Sequence, residues 1–505
     1  MPSNHAAAAF PRASGILLPV SSLPSPYGIG TLGAEAYRWV DFLHTAKQTY
    51  WQVLPLNPLG FGFSPYQSPS AFAGEPYFID LDVLIAEGLL QKDEVCSIDW
   101  GADTDYVDYA RLQTEREPVL RRACARFVPG EDYDAFLKQH AHWIMDYALY
   151  MAIGKVYAPL SWAEWPAPLR LYEYGALNEF YAAHTQEVDY YLFLQYQFFK
   201  QWAALKAYAN QKRIQIIGDI PIYVAMESAD VWAHRELFLL NEHGVPTALA
   251  GVPPDYFSAD GQLWNNPLYR WDVLKQTGYR WWVNRLHMSF LLYDVVRIDH
   301  FRGLESYYCV PAGSQNAREG VWRPGPGMEL IAAIRHALPN CVMIAEDLGV
   351  STPALKALLQ ESGLPGMRVL AFAFDSDEKN EHLPHHHPHN AVVYTGTHDN
   401  DTLRGFLESA PLSTLRFAQR YCHAKSLPRL HQRIISLALR SAAHTAIVPL
   451  QDYLFLGSEA RMNTPATVFE NNWRWRARRS NFSSRLAKKI AKATEAAGRV
   501  PPADC

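Results

Sequence analysis

Six cysteines in 505 residues, none in a CxxC pair, are too few and too scattered for a disulfide framework or a zinc knuckle. Cys96, Cys124, Cys309, Cys341, Cys422 and Cys505 are therefore expected as reduced thiols, the usual state in the cytoplasm. No apolar run reaches the length needed to cross a bilayer. The alanine stretch of MPSNHAAAAFPRAS is too short for a signal peptide, so a soluble, unsecreted protein is expected. Charge of one sign is also scarce: a formal net charge of -5 gives no field for nucleic acid or an anionic membrane, and a neutral ligand fits better. There is no GxxxxGK[ST] run and no sign of a nucleotide or pyridoxal site, so no cofactor is expected.

What the chain does have is apolar and aromatic content, 49% and 13%, ample for a large core. Short runs rich in Val, Ile and Leu recur from end to end: GILLPV (15–20), YWQVLPL (50–56), IQIIGDIPIY (214–223), YDVVRID (293–299), VMIAED (342–347), MRVLAFAF (367–374), AVVYTGT (391–397) and HTAIVPL (444–450). They look buried on both faces, and helical stretches such as PGMELIAAIRHAL and TPALKALLQESG separate several of them. The pattern predicts an α/β protein, a (β/α)8 TIM barrel with large inserted, mainly helical subdomains; a doubly wound open sheet is the competing arrangement. No Gly/Ser or Pro-rich linker interrupts the chain, so one catalytic domain over 1–505 is expected. The gap after the second strand, about 84–210, reads as a helical subdomain. A second insertion, about 224–290, contains AGVPPDYFSADGQLWNNP, which has neither helical nor strand period, and residues 250–266 read as a substrate-covering loop.

Three of the late strands stop on or near a carboxylate: Asp299, Glu346 and Asp399. An acid at a strand end is often only a helix cap or a salt-bridge partner. In a parallel barrel, however, all strand C-termini open on one face, so these three would converge over the barrel mouth, as glycosidic-bond chemistry needs. Positions two apart on a strand point the same way, so Arg297 should sit beside Asp299 and hold it ionised, which suits a nucleophile. Glu346 has a longer reach, and burial would raise its pKa toward that of a proton donor. If the chemistry is retaining, the two carboxyl groups should lie roughly 5–5.5 Å apart.

Longer motifs then carry a resemblance: SPYQSPSAFAGEPYFIDL from Ser64, GDIPIYVA from Gly218, AGVPPDYFSADGQLW from Ala250, RIDHFRG around Asp299, AEDLG around Glu346, YTGTHDNDT around Asp399 and GSEARMN from Gly457. Together they resemble the amylomaltases, the 4-α-glucanotransferases or disproportionating enzymes of glycoside hydrolase family 77. That resemblance implies transfer of an α-1,4-glucan segment from a maltodextrin, amylose, glycogen or starch donor to the 4-hydroxyl of another glucan or of glucose, with retention, through a covalent glycosyl-enzyme. It also implies Asp299 as nucleophile, Glu346 as acid/base and Asp399 as transition-state stabiliser. Arg297, His300, His398, Tyr66, Asp219 and Asn463 match substrate-binding positions. The family's covering loop matches Gly251 through Trp264, with Asp255, Tyr256, Phe257 and Trp264 as glucan contacts. An aromatic cover of this kind lets an acceptor sugar outcompete water.

Departures from the family pattern are local. GFGFSPY places Phe61 and Phe63 where many relatives have a tyrosine and an aspartate, so stacking survives there while hydrogen bonding is lost. Asn265 and Asn471 stand where glycine is common, and asparagine tolerates the left-handed backbone such turns use. HLPHHHPHN (His382 to Asn390) is too irregular to fix metal-ligand geometry, so no metal is expected. The basic stretch after Arg474 reads as an amphipathic closing helix. Two other functions share the same acids: an α-glucan hydrolase of the α-amylase type, and a noncatalytic glucan-binding barrel. The intact set of acids with its Arg and His companions disfavours the latter.

Overall fold

The computed structural model describes residues 11–254, 259–468 and 471–500. Eight parallel strands form one sheet: β1 (Ala13–Leu17), β2 (Tyr50–Gln52), β3 (Gln215–Pro221), β4 (Val295–Asp299), β5 (Met343–Ala345), β6 (Gly366–Val369), β7 (Ala391–Tyr394) and β8 (Thr445–Pro449). Their order is β6-β7-β8-β1-β2-β3-β4-β5, and the Ala345 amide donates to the Pro365 carbonyl at 3.0 Å, joining β5 to the start of β6. The sheet is thereby closed into a (β/α)8 barrel rather than left open. Each strand lies at one of the eight apolar runs. Except in β4, which ends with its run at Asp299, the ordered pairing stops before the run does, and the residues beyond it enter the loop that follows the strand.

Alternation along the strands explains why the runs look apolar on both faces. Leu17, Ile217, Val295, Ile344, Met367, Val392 and Ile447 pack together inside the barrel. Their neighbours Ile16, Ile216, Val296, Ile298 and Ala345 face the helical shell and join the largest core cluster. Each fully buried Ile or Val of this kind contributes roughly 1.5–3 kcal/mol. The inward series then changes character toward the mouth: Ile217 is followed two positions on by Asp219, Val295 by Arg297 and Asp299, and Ile344 by Glu346. Gly218 faces outward, where a Cβ would sit inside the ring of Tyr293, so the helix layer packs close to the strand that carries Asp219.

Between β2 and β3 the chain is mainly helical, with its longer helices over Tyr109–Arg126, Ile144–Tyr157 and Thr185–Gln211. The last has 27 residues, so it is about 40 Å long and runs from the insertion onto the barrel. There the Trp202 indole donates to the Leu292 carbonyl at 2.8 Å. Two of its buried glutamines also grip the preceding loop. Gln195 accepts from Gly74 N at 2.7 Å and donates to Gly74 O at 2.9 Å, and Gln201 accepts from Asp80 N at 2.7 Å.

The segment 250–266 differs from its expected irregularity. Ala248–Val252 and Gln262–Pro267 pair antiparallel as a hairpin, within a four-stranded sheet completed by Ser306–Pro311 and Val321–Pro324. The pairing partner lies beyond β4, so hydrogen bonds from a distant strand impose extended structure on a stretch whose Gly, Pro and Asp content obscures any local period. Asn265 adopts a left-handed backbone, φ 61°, as its chemistry permits. Asp255, Tyr256 and Phe257 lie outside the described residues. Among the described residues, no helix is long and apolar enough to cross a membrane. The closing helix, Ser484–Ala496, buries Ala487, Ile490, Ala491 and Thr494.

Candidate active site

Strand register assembles the polar centre. β3 and β4 pair Asp219 with Arg297 and Pro221 with Asp299, while Ile298 pairs with Ala345, one residue before Glu346. One Arg297 guanidinium nitrogen, Nη1, donates to both Asp219 oxygens at 2.7 Å, and Nη2 reaches Asp299 Oδ1 at 2.9 Å. Asp219 is 0% exposed and the Asp299 side chain 28%. The first carboxylate is thus a buried anchor and the second opens on the mouth. Burial pushes the Asp219 carboxyl up, and the guanidinium opposes that shift. The Tyr66 hydroxyl donates to Asp219 Oδ2 at 2.9 Å and fixes its outer edge.

Glu346 accepts the His300 amide on Oε2 at 2.7 Å and the Leu348 amide on Oε1 at 2.8 Å. Burial pushes its carboxyl up to about 8, the nearby Asp299 adds to the shift, and Arg297 and the two amides oppose it. A buried carboxyl raised in this way can hold a proton near neutrality, as a general acid must. His300 has a left-handed backbone, φ 51°, a strained state for histidine that turns its amide to the glutamate. Its ring is kept neutral by burial, its pKa lowered to about 4, and Nε2 has no hydrogen-bond partner among the described residues. Trp264, on the hairpin, meets that ring edge to face at 4.8 Å.

Asp399 sits on the loop after β7, its side chain 44% exposed. Asn463 Nδ2 donates to its Oδ1 at 2.7 Å, Arg461 donates to its carbonyl at 2.7 Å, and His398 Nε2 stands 3.4 Å from the same Oδ1. The His398 ring stacks on Tyr66 at 5.1 Å, and Trp473 adjoins both rings at 5.7 and 6.1 Å. Tyr66, Asp219, Arg297, Asp299, His300, Glu346, His398, Asp399, Asn463 and Trp264 are thus brought to one mouth through linked contacts. Asp255, Tyr256 and Phe257 are not among the described residues. Sequence reasoning missed Trp473 and Arg461. Trp473 lies two residues past Asn471 and Arg461 within GSEARMN, both noted above, yet nothing local marks either as facing the site. Phe61 is 78% exposed, whereas Phe63 stacks on Tyr109 at 4.3 Å and joins the core. The histidines from His382 are engaged within the fold: His382 Nδ1 accepts the Val369 amide, and His387 bonds Ser441 Oγ and the His382 carbonyl.

Residues 18–481 match the family model described as 4-alpha-glucanotransferase. The 4-alpha-glucanotransferase of Thermus thermophilus is 45% identical over 503 residues, spanning 97% of this chain and 99% of that one. That of Streptococcus pneumoniae (strain ATCC BAA-334 / TIGR4) is 44% identical over 470 residues, 92% and 93% of the two chains. Among solved structures, the amylomaltase from Streptococcus agalactiae in complex with acarbose matches with a TM-score of 0.94 at 39% identity, over 97% of this chain and 100% of that chain. The amylomaltase from Corynebacterium glutamicum, at 18% identity and a TM-score of 0.78 over 96% of this chain and 75% of that one, shares the fold. With its barrel, its clustered carboxylates and this similarity along nearly its whole length, the chain belongs to the 4-alpha-glucanotransferases, the amylomaltases of glycoside hydrolase family 77.

Proposed function

We propose that the chain disproportionates α-1,4-glucans by double displacement, with Asp299 as nucleophile, Glu346 as acid/base and Asp399 as the group that grips the reacting sugar. The observation that supports this reading is one guanidinium, Arg297, bonded to both Asp219 and Asp299 beside a glutamic acid whose burial keeps it protonated near neutrality. In the first step Asp299 attacks the anomeric carbon, the glycosidic C–O bond breaks, and the Glu346 proton goes to the departing 4-oxygen. Arg297, 2.9 Å from Asp299, aims the attacking carboxylate. In the second step the acceptor's 4-hydroxyl gives its proton to Glu346 and attacks the same carbon, releasing Asp299. Two inversions leave the configuration retained. Tyr66, with His398 behind it, offers a flat face to a pyranose ring, and Asp399, braced by Asn463 and Arg461, accepts hydroxyl donors from it.

Glucan hydrolysis would use the same glycosyl-enzyme and differ only in what attacks it. The hairpin with Trp264 packed on His300 favours transfer, because an aromatic cover beside the acid/base reduces the access of water. Incubated with pure maltotriose, the protein should yield glucose and a ladder of longer maltodextrins, resolved by size. Reducing ends released without any lengthened product would overturn the transferase reading. Cytoplasmic placement belongs to the same proposal, supported by Cys96, Cys124, Cys309, Cys341 and Cys422 standing as free thiols.

A further inference from the structure

A five-residue helix, Leu450–Leu454, leaves the end of β8 and buries Asp452 at 2% exposure. Burying a carboxylate is unfavourable unless its oxygens are well used. One oxygen of Asp452 accepts the Thr395 hydroxyl at 2.6 Å and the other the Leu403 amide at 2.8 Å. Thr395 follows β7, and Leu403 opens the helix Leu403–Ser409. These are the two ends of the loop that carries His398 and Asp399, so a single carboxylate closes that loop at its base.

The neighbouring residue holds the second support of Asp399. Gln451 Nε2 donates to the Ala460 carbonyl at 3.2 Å, in the segment that presents Arg461 and Asn463 to Asp399. The two supports are also tied directly, Ser458 Oγ donating to Asp401 Oδ2 at 2.7 Å. A helix cap alone would need only the Leu403 amide; the bond to Thr395, at the other end of the loop, is what a capping role leaves unexplained. We infer that Asp452 is a positioning residue for the transfer reaction, fixing the height and orientation of His398 and Asp399 over the barrel mouth without touching the sugar itself. The inference rests on the proposed role of Asp399.

The test compares the full-length wild type with Asp452→Ala, Asp452→Asn, Thr395→Val and the Asp452→Ala/Thr395→Val double variant in maltotriose disproportionation, kcat and KM being measured separately. Misplacement of a group by about 1 Å can cost about a hundredfold, so Asp452→Ala should lower kcat by about that factor while KM stays within about threefold. Asparagine can accept from the Leu403 amide and donate to the Thr395 hydroxyl, so Asp452→Asn should recover to within about tenfold of wild-type kcat. Thr395→Val should cost about tenfold on its own and less than about twofold in the Asp452→Ala background, because both remove one link. A folded Asp452→Ala with wild-type kcat, a loss confined to KM, an asparagine variant as poor as the alanine one, or additive losses would each overturn the inference. If Asp452→Ala does not fold, Thr395→Val and Asp452→Asn decide it: undiminished kcat in the former, or loss of more than about a hundredfold in the latter, rejects the role. Failure of the wild type itself to disproportionate maltotriose would count against the proposed function, a separate result.

Discussion

At the scale of single residues, the proposed chemistry rests on a glutamic acid whose position in the barrel holds its proton near neutrality. Glu346 is raised from an ordinary value of 4.5 to about 8 chiefly by burial. With Glu346 as the proposed proton donor of the first step, kcat/KM should fall as pH rises through about 8, where that proton is lost. Replacing it by glutamine should lower turnover of maltotriose by about 10³-fold, measured by initial rates. The same shift has a consequence for stability. Between 4.5 and about 8 the folded protein binds a proton that the unfolded chain has released, so this group's contribution to stability falls as pH rises across that window. Glu346→Gln should therefore gain thermal stability relative to wild type as the buffer is moved from pH 4.5 toward 8. Part of this centre is legible in one dimension. Arg297 and Asp299 lie two apart on a strand and must point together. Asp219, 78 positions before Arg297, emerged only through the likeness of GDIPIYVA to a family motif, since nothing in that motif says which distant guanidinium it meets.

Elements separate into those with a strong local signal and those without. The eight barrel strands stand out because each is largely buried on both faces and so lies in a short run rich in apolar residues. The hairpin over the mouth does not, because its extended form depends on pairing with Ser306–Pro311, across β4 in sequence. Its exposed face has no apolar alternation to betray it. Trp264 lies on this hairpin against His300, whose amide bonds Glu346, the proposed acid/base. Trp264→Ala should raise the ratio of hydrolysis to transfer by about three- to tenfold, read from reducing ends against lengthened products. An unchanged ratio would remove the hairpin from the account of specificity.

For the whole molecule, the two ends of the barrel divide the labour. Function gathers at the C-terminal ends of the strands. The opposite end is closed by Arg499, which donates to the carbonyls of Ala13, Leu439, Ser441, Ala443 and His444 while buried at 0% exposure. Ala13 and His444 stand at the starts of β1 and β8, so one guanidinium satisfies acceptors where the first and last strands meet. Arg499→Ala removes a donor from all five carbonyls, although that of His444 keeps the Ala13 amide and that of Ser441 keeps Arg12, and should lower unfolding free energy by about 3 kcal/mol by denaturant titration, with kcat at 25 °C unchanged. Such a closure across the whole chain is invisible in sequence, where a lone arginine in a basic tail reads as a solvated charge.

In the proposed double displacement, Asp299 becomes a temporary glucosyl ester. An α-maltotriosyl fluoride needs no proton to lose its leaving group, but release of the ester still needs Glu346 as base. Glu346→Gln exposed briefly to this donor and examined by peptide mass spectrometry should carry one maltotriosyl unit on the peptide containing Asp299. An unlabelled protein that has nevertheless consumed the fluoride, or a label on any other carboxylate, would contradict the account.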